Sequence, residues 1–499
     1  MDFYACAENS YTAKLIMDAA QIHIPAESRN ALIDLLERQK SAQLGEGTPS
    51  AETRIDRIDR AIGLLVDHKD RIADAVSRDF GHRSIHTTLL ADVAGSIGSL
   101  KHARSRLRQW MKPQRRKVTP GFLGLFGARA YVMAQPKGVV GIISPWNYPV
   151  QLTFAPLAGV LAAGCRAMIK PSELVPYTSE LLAELFRKAF AENEVAVVQG
   201  GPEVGAAFAS LPFDHLFFTG SASIGRHVAR AAAENLVPTT LELGGKSPVI
   251  VGKSADIELA AKRVMLGKTV NAGQMCLAPD FVILPRERVA DFVAAAKRAV
   301  EAMYPCLKDN PDYTSVVNRH HCDRLRRYLQ DACDKHAEVV EINPAGEDFL
   351  QQPSHKIPPT LILNATDDML VMQDEIFGPL LPVTTYQSID DAISLVNSRP
   401  RPLGLYYFGR DRSEERRVLS CTISGGVTVN DVIQHVTMED LPFGGSGASG
   451  MGAYHGLEGF WTFSHAKAVF RQSSLDITAM LRPPYGARFS KLVGRLIQR

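Results

Sequence analysis

Residues 128–144 read ARAYVMAQPKGVVGIIS. Up to Pro136 the stretch alternates in the manner of a half-buried strand. After Lys137-Gly138 comes VVGII, a short apolar, β-branched run of the kind buried on both faces of a parallel sheet. Downstream the texture repeats. FAPLAGVLAAG reads as a helix, CRAMIKPSE as a strand, SELLAELFRKAFAEN as a helix and VAVVQGG as a strand. Another helix, HLFFTG (strand), a further helix and TTLELGGKSPVIVG, read as one strand, complete the series. This β-α-β alternation predicts a parallel α/β sheet. Past Ala255 it restarts with DIELAAKRVMLGKTV, DFVILP and RVADFVAAAKRAVEAM, which predicts a second α/β domain running to Gly445.

Upstream, Arg29 to Lys112 is helical in pattern. Leu32, Leu35 and Leu36 lie at i, i+3, i+4, and Ile55–Val76 repeats that spacing. Pro113 and Pro120 end it. Residues 1–30 read as a loosely ordered extension, and the tail from Ser446 is Gly-rich, then mixed.

The chain has 499 residues. Single cores stop growing beyond roughly 250–300 residues, so two or three domains are expected. Apolar residues are 45% and charged residues 22%, with a net charge of +3. These values argue against a nucleic-acid protein and against an electrostatic funnel for acidic substrates. The cysteines are Cys6, Cys165, Cys276, Cys306, Cys322, Cys333 and Cys421, an odd, scattered set without CxxC, which points to a reducing compartment. MDFYACAENS lacks a basic, apolar leader, and no 18-residue apolar window exists. The expectation is a cytoplasmic protein without a transmembrane helix.

Several motifs fail on inspection. LGGKS at 243–247 resembles a phosphate loop, but Thr240 stands where that loop needs glycine. GGPEVG at 200–205 lacks the GxGxxG spacing, and no serine sits in a nucleophile elbow. FFTGSASIGRHV at 217–228 is a strand, a Gly-Ser turn and a helix start. It is either an ordinary capped βα turn or a phosphate site built on free N–H groups and the Ser221 hydroxyl. His320, His321, Cys322, Cys333 and His336 lie among arginines, which favours a polar helix face over a metal site. The basic run Lys101–Lys117 reads as a solvated helix end and loop. ARFSKLVGRLIQR at 487–499 is an amphipathic helix that docks on the protein's own body or a partner, or lies on a membrane. In NAGQMCLAP at 271–279, Cys276 is a core residue, a structural thiol or a nucleophile.

Taken together, SPWNYP (144–149), KPSE (170–173), FTGSASIG (218–225), LELGGKSP (241–248), GQMC (273–276), EIFGP (375–379) and LPFGGSGASGMGAYHG (441–456) resemble the aldehyde dehydrogenase superfamily from about residue 50 to 470. GGVTVND (425–431) and TFSHAK (462–467) resemble its class 3-like branch. EGF (458–460) and PPYG (483–486) are most similar to the bacterial coniferyl aldehyde dehydrogenases within it. Ser446 stands where the family's PFGGVG has Val, and Met275 precedes the thiol.

The resemblance implies an α/β fold of three parts. These are a Rossmann-like NAD domain (1–113 and 136–244), a catalytic domain (245–445) and an oligomerisation hairpin with C-terminal segment (114–135 and 446–499). ARAYVMAQP would be an arm of that hairpin, AVFRQSSL the strand reaching a partner, and the assembly a homodimer. It implies Cys276 as nucleophile, Asn147 as oxyanion donor together with the Cys276 N–H, and Glu242 as the base that activates the hydrolytic water. For the cofactor it implies Ser221 and the following helix at the pyrophosphate, Lys170 and Glu173 at the adenosine ribose, and Glu375 and Phe377 at the nicotinamide ribose. Ser144, Trp146, Ser172, Phe218, Thr219, Gly220, Ile224, Gly225, Leu243 and Gly244 complete that site, and no metal is implied. A carboxylate at 173 favours NAD over NADP, with NADP possible because Lys170 offsets it. The substrate expected is an aromatic aldehyde, with Tyr148 in an entry funnel. The alternatives are a medium-chain aliphatic aldehyde, a non-catalytic structural relative, or a cysteine hydrolase.

Overall fold

A computed structural model describes residues 26–497, apart from 120, 351, 353, 475 and 477–481. Its strands are β1 (Gln114–Arg116), β2 (Arg129–Pro136), β3 (Val139–Ile143), β4 (Arg166–Lys170), β5 (Val195–Val197), β6 (His215–Thr219), β7 (Thr239–Glu242) and β8 (Pro248–Val251). They continue with β9 (Phe281–Pro285), β10 (Glu338–Glu341), β11 (Thr360–Leu363), β12 (Leu380–Tyr386), β13 (Gly404–Phe408), β14 (Gly426–Val429), β15 (Gly450–Met451) and β16 (Ser464–Arg471).

They form three sheets. The first, in the order β15-β7-β6-β3-β4-β5, is parallel except for β15. The second, β10-β11-β12-β9-β8-β13-β14, is parallel except for β10. The third, β1-β2-β16, is antiparallel. The alternation read around residue 140 is thus two parallel sheets, with VVGII fully buried up to Ile142.

TTLELGGKSPVIVG is not one strand. It divides into β7 and β8, which belong to different sheets. The break falls at Gly244-Gly245, where Gly245 has φ 141, a value that a side chain resists. Both flanks are largely buried, so periodicity alone could not show the change of sheet.

The N-terminal region is helical over Ala26–Glu46, Ala51–Asp67, Lys69–Asp79 and Gly95–Trp110. The first helix corrects the expectation for 26–30; residues 1–25, Cys6 among them, lie outside the described residues. Thr88–Ala94 is a π-helical segment, a form that often marks functional sites. The strand expected at AVFRQSSL begins earlier, at Ser464, and ends at Arg471. The basic run is a solvated helix end, with Arg104 paired to Asp59 and Arg108 to Glu52.

The terminal helix spans Ala487–Leu496; Phe489 and Val493 are half-buried, Ile497 just beyond it is exposed, and the Phe489 ring lies 4.3 Å from that of Tyr485. The side chains of Leu492 and Leu496 lie outside the description.

In the first sheet, β3 has the earlier strands β4 and β5 on one side and their later partner β6 on the other. Strand order reverses there. Such a switch point opens a crevice at the carboxyl ends of the strands. Those ends carry Ser144, Lys170, Thr219 and Glu242.

Candidate active site

The chain reaches Cys276 through an unusual turn. After the helix Ile257–Thr269, Asn271, Ala272 and Gly273 take φ 51, 52 and 71. A methyl on Gly273 would meet the Gly378 carbonyl oxygen at 2.4 Å, so glycine is needed there on two counts. Asn271 and Ala272 hold left-handed backbone without that freedom, which is a form of stored strain.

Gln274, fully buried, supplies the counterforce. Its Nε2 donates to the carbonyls of Asn271 (2.9 Å) and Ser315 (3.0 Å), and its Oε1 accepts from the Val317 N–H at 2.9 Å. Asn147 Nδ2 donates to the Gln274 carbonyl at 3.2 Å, which places that amide against the thiol's own loop. Arg83 Nη1 donates to the Asn147 carbonyl at 2.6 Å, and its Nη2 pairs with Asp92 at 2.6 Å, both side chains fully buried. Asp92 Oδ1 accepts from the N–H groups of Val150 and Gln151, each at 3.1 Å. From the second sheet, Tyr406 donates its hydroxyl to the Leu277 carbonyl at 2.5 Å.

Cys276 is half-buried. Burial pushes its thiol up to about 12, and the carboxylates of Glu375 and Glu242 add to the rise. Glu242 closes β7, opposite Thr219 of β6 and Gly450 of β15. It is 2% exposed, neither carboxyl oxygen has a hydrogen-bond partner, and burial raises its pKa well above the usual range. Glu375 is raised to about 8 by burial, then by the Asp280 charge. Its carboxyl lies against Gly244, where a methyl would meet Oε1 at 2.3 Å, and that oxygen also lacks a partner. One thiol and two acids therefore share a pocket poor in hydrogen bonds.

A charged shelf supports this pocket from below. Lys246 pairs with Asp280 and donates to the carbonyls of Val371 (2.6 Å) and Asp374 (2.8 Å); Asp280 accepts from the Ile376 N–H at 3.0 Å. These bonds fix the segment bearing Glu375 and Phe377. Lys268 is buried beside them without a hydrogen-bond partner and is lowered to about 8 by burial.

The remaining expected positions line the carboxyl edge of the first sheet. Ser144 accepts from the Thr153 hydroxyl at 2.8 Å. Lys170 Nζ bonds the Pro171 carbonyl at 2.9 Å and Glu173 at 3.2 Å. Ser172 caps its own turn, accepting from the Leu174 N–H. Phe218 is buried, and the Thr219 hydroxyl has no partner. Gly220 lies over the Phe218 ring, where a methyl would come within 2.5 Å. Ser221 caps the helix Ala222–Ala233, accepting from the Ile224 N–H at 3.4 Å. Gly225 brings that helix close to Leu243, 2.6 Å from where a methyl would stand. Leu243 is tied by its N–H to the Ser449 carbonyl at 3.0 Å.

Trp146 is ringed by Phe377 at 5.3 Å, His321 at 5.1 Å and Phe80 at 6.0 Å. Phe377 itself has φ 51. The His/Cys patch disperses: Cys322 is core, His321 faces Trp146, and Cys333 is exposed. No metal-binding group of three occurs among the described residues.

The Cys276 loop and the two acids thus lie together, at the carboxyl edge of the sheet that also carries the capped βα turn. The aldehyde dehydrogenase family profile matches residues 16–469. The chain belongs to the aldehyde dehydrogenase family. It is 61% identical over 483 residues to a probable coniferyl aldehyde dehydrogenase of Caulobacter vibrioides, covering 96% of this chain and 100% of that one. It is 55% identical to the coniferyl aldehyde dehydrogenase of a Pseudomonas species, covering 93% of this chain and 95% of that one. Among solved structures, the substrate-bound state of Staphylococcus aureus AldH matches with TM-score 0.87 at 37% identity, covering 93% and 99% of the two chains. A Mycobacterium tuberculosis aldehyde dehydrogenase complexed with NAD+ matches with TM-score 0.79 at 28% identity, covering 89% and 90%. The reaction class of this aldehyde dehydrogenase is the oxidation of an aldehyde.

Arg83, Asp92, Gln274, Tyr406 and the Lys246–Asp280 pair escaped the sequence reading as site residues. Gln274 and Lys246 stood inside quoted motifs. Arg83, Asp92 and Tyr406 carry no local signal, since the backbone groups they bond lie far along the chain.

Proposed function

We propose that this aldehyde dehydrogenase oxidises an aromatic aldehyde of the coniferyl type to its acid with NAD, through a thioester on Cys276. The observation that carries the chemistry is the meeting of Cys276 and Glu242 in one pocket, with Asn147 bonded to the thiol's loop. The relatives' names support the substrate, and the NAD+ complexes among similar structures support the cofactor.

Cys276 attacks the carbonyl carbon. The developing oxyanion takes hydrogen bonds from the Asn147 amide and the Cys276 N–H, and one such donor contributes roughly 3–4 kcal/mol in the transition state. Glu242, buried and unbonded, draws a proton from water as that water attacks the thioester; a carboxyl raised by burial suits base catalysis near neutral pH. The dinucleotide, when bound, accepts the aldehyde's hydride.

The residues fit that group. The unpartnered Thr219 hydroxyl, the Ser221 cap and the helix start behind it suit a pyrophosphate, and Gly225 lets that helix lie close to the sheet. Lys170 and Glu173 would meet the adenosine ribose, and Glu375 and Phe377 the other. The Glu173 carboxylate favours a free 2′-hydroxyl over a 2′-phosphate, while its pairing with Lys170 leaves NADP tolerable.

The domain roles expected above, a cytoplasmic location and a homodimer belong to the same proposal. Among the described residues no strand pairs with the outer edge of β16, which supports the last. Among the described residues no helix is long and apolar enough to cross a membrane.

Cys276→Ala is expected to abolish NADH formation from an aldehyde while NAD still binds; normal turnover would refute the nucleophile. Comparing coniferyl aldehyde, benzaldehyde and hexanal by NADH formation tests the substrate, and a strong preference for hexanal overturns it.

A further inference from the structure

A side-chain amide carries two hydrogens on its nitrogen. In Asn147 one of them is committed to the Gln274 carbonyl at 3.2 Å. If Asn147 is the oxyanion donor, as proposed above, the other is the one it gives. That first bond and the backbone of residue 147 together set where the second hydrogen points. Whatever fixes the backbone therefore aims the donor.

Asn147 is 3% exposed and stands in the connection between β3 and the helix Gln151–Ala163. Its carbonyl accepts from Arg83 Nη1 at 2.6 Å and, from the Cys276 loop, from Asn271 Nδ2 at 3.1 Å. At the far end of the connection, the helix gets no side-chain cap from Val150 in the N-cap position. Asp92 caps it from outside, its Oδ1 accepting the Val150 and Gln151 N–H groups at 3.1 Å each. Arg83 Nη2 and Asp92 Oδ2, 2.6 Å apart, join the two grips. Asn147, Arg83, Asp92 and the helix start are thus linked by hydrogen bonds throughout.

Stability alone does not account for the pair. Both side chains are fully buried, and desolvation offsets most of the attraction in a buried ion pair. Apolar side chains of the same volume would serve as well, although losing one partner alone is costly. Arg83 Nε has no partner, which adds to the cost. What an arginine provides here is direction. Its guanidinium lies 4.7 Å from the Tyr148 ring centroid and 5.0 Å from that of Phe80, contacts that fix its plane. Asp92 belongs to the π-helical segment Thr88–Ala94, a form frequent at functional sites.

We propose that Arg83, anchored by Asp92, is a positioning residue that holds the Asn147 backbone so that its free amide hydrogen and the Cys276 N–H bear on one carbonyl oxygen. Asn271 ties the same Asn147 carbonyl to the thiol's loop, so the two donors are held in register from both sides. Arg83 acts through Asn147 and not on the substrate. Misplacing such a group by about 1 Å costs about 100-fold in rate.

The test reads first-turnover NADH formation by rapid mixing, in the full-length enzyme with NAD and saturating benzaldehyde. Arg83→Lys keeps the charge but offers one nitrogen where arginine uses two, and no planar face. Arg83→Met with Asp92→Asn removes both charges, while the new amide oxygen can still cap the helix. Both are expected to be slower by about tenfold or more, with the half-saturating benzaldehyde concentration within twofold of wild type. In an Asn147→Ala background, Arg83→Lys should slow the reaction no further. A double variant that is folded and runs at the wild-type rate would show that the pair serves stability only and overturn the proposal. So would an Arg83→Lys effect as large in Asn147→Ala as in the wild type, since Arg83 would then act elsewhere. If Asn147→Ala is itself as fast as wild type, the oxyanion assignment falls and the positioning with it. If Asn147→Ala is slow while both Arg83 variants are fast, the donor stands and the positioning alone is refuted. Should the double variant not fold, Arg83→Lys decides alone.

Discussion

Gln274→Leu should separate the shape of the nucleophile loop from the rest of the enzyme. The side chain makes three hydrogen bonds while fully buried. On its removal the Asn271 carbonyl keeps the Gln274 N–H at 3.1 Å, but the Ser315 carbonyl and the Val317 N–H are left without these partners. Each such buried group costs about 1–3 kcal/mol, so roughly 2–6 kcal/mol of local stability is lost. The lost bonds are those that oppose the left-handed strain of Asn271 and Ala272, about 1–3 kcal/mol for each residue. The loop therefore relaxes, and the Cys276 N–H and Asn147 amide lose the common aim proposed for them. Losing one oxyanion donor lowers kcat by roughly 10²–10³. We expect a fall of about 100-fold in the first-turnover rate of NADH formation. NAD affinity, read by quenching of tryptophan fluorescence, should stay within twofold, because the proposed cofactor contacts Lys170, at the end of β4, and Ser221, at a helix N-terminus, lie outside this loop. Turnover within twofold of wild type would refute the argument that these bonds hold the thiol in place.

Acid chemistry gives a second expectation. Burial raises Glu375 to about 8 from an ordinary value of 4.5. An acid raised on folding stabilises fully below the unfolded value, and that contribution is lost as pH rises through 8. Glu375→Gln should therefore increase the melting temperature more at pH 8 than at pH 5; an equal shift at both would contradict it. Arg83→Met leaves Asp92 buried and unpaired, which should cost about 3–5 kcal/mol in urea unfolding. Asp92→Asn with Arg83→Met together should restore part of that loss, and a double variant no more stable than the single one would show the pair is not the cause.

The parts of the fold legible in sequence are those with a period. VVGII and FVILP announce strands buried on both faces because such strands have no polar side to alternate with. Ser221 was legible as a helix cap but not as more, since a capped βα turn looks the same with or without a phosphate. Cys276 became distinguishable from the other thiols only through the ordered set of motifs. Arg83, Asp92 and Tyr406 were invisible because each acts on a carbonyl or amide far along the chain, and a single sequence does not display contact. The split between β7 and β8 was missed for the opposite reason: both halves carry the right pattern, and only the geometry at Gly245 separates them. The exposed Ile497 shows the limit of amphipathic patterning, which says that a face is apolar but not what covers it.

The electrostatics of the pocket bear on how the enzyme rests. A thiol pushed up to about 12 is a poor nucleophile, and Glu375 contributes to that rise ahead of Glu242. Two buried acids and a thiol cannot all be charged in one dry space, so a charge on Glu375 or Glu242 opposes the thiolate. Glu375 is also the group proposed to meet the nicotinamide ribose. A hydroxyl that drew its carboxyl away from Gly244 and Cys276 would remove the largest charge opposing the thiolate. Chemistry would then be favoured only with the hydride acceptor in place. Iodoacetamide reports this directly: it should alkylate Cys276 faster with NAD than without it, and Glu375→Gln should react quickly in either case. Equal rates for the wild type with and without NAD would refute the idea that Glu375 restrains the thiol.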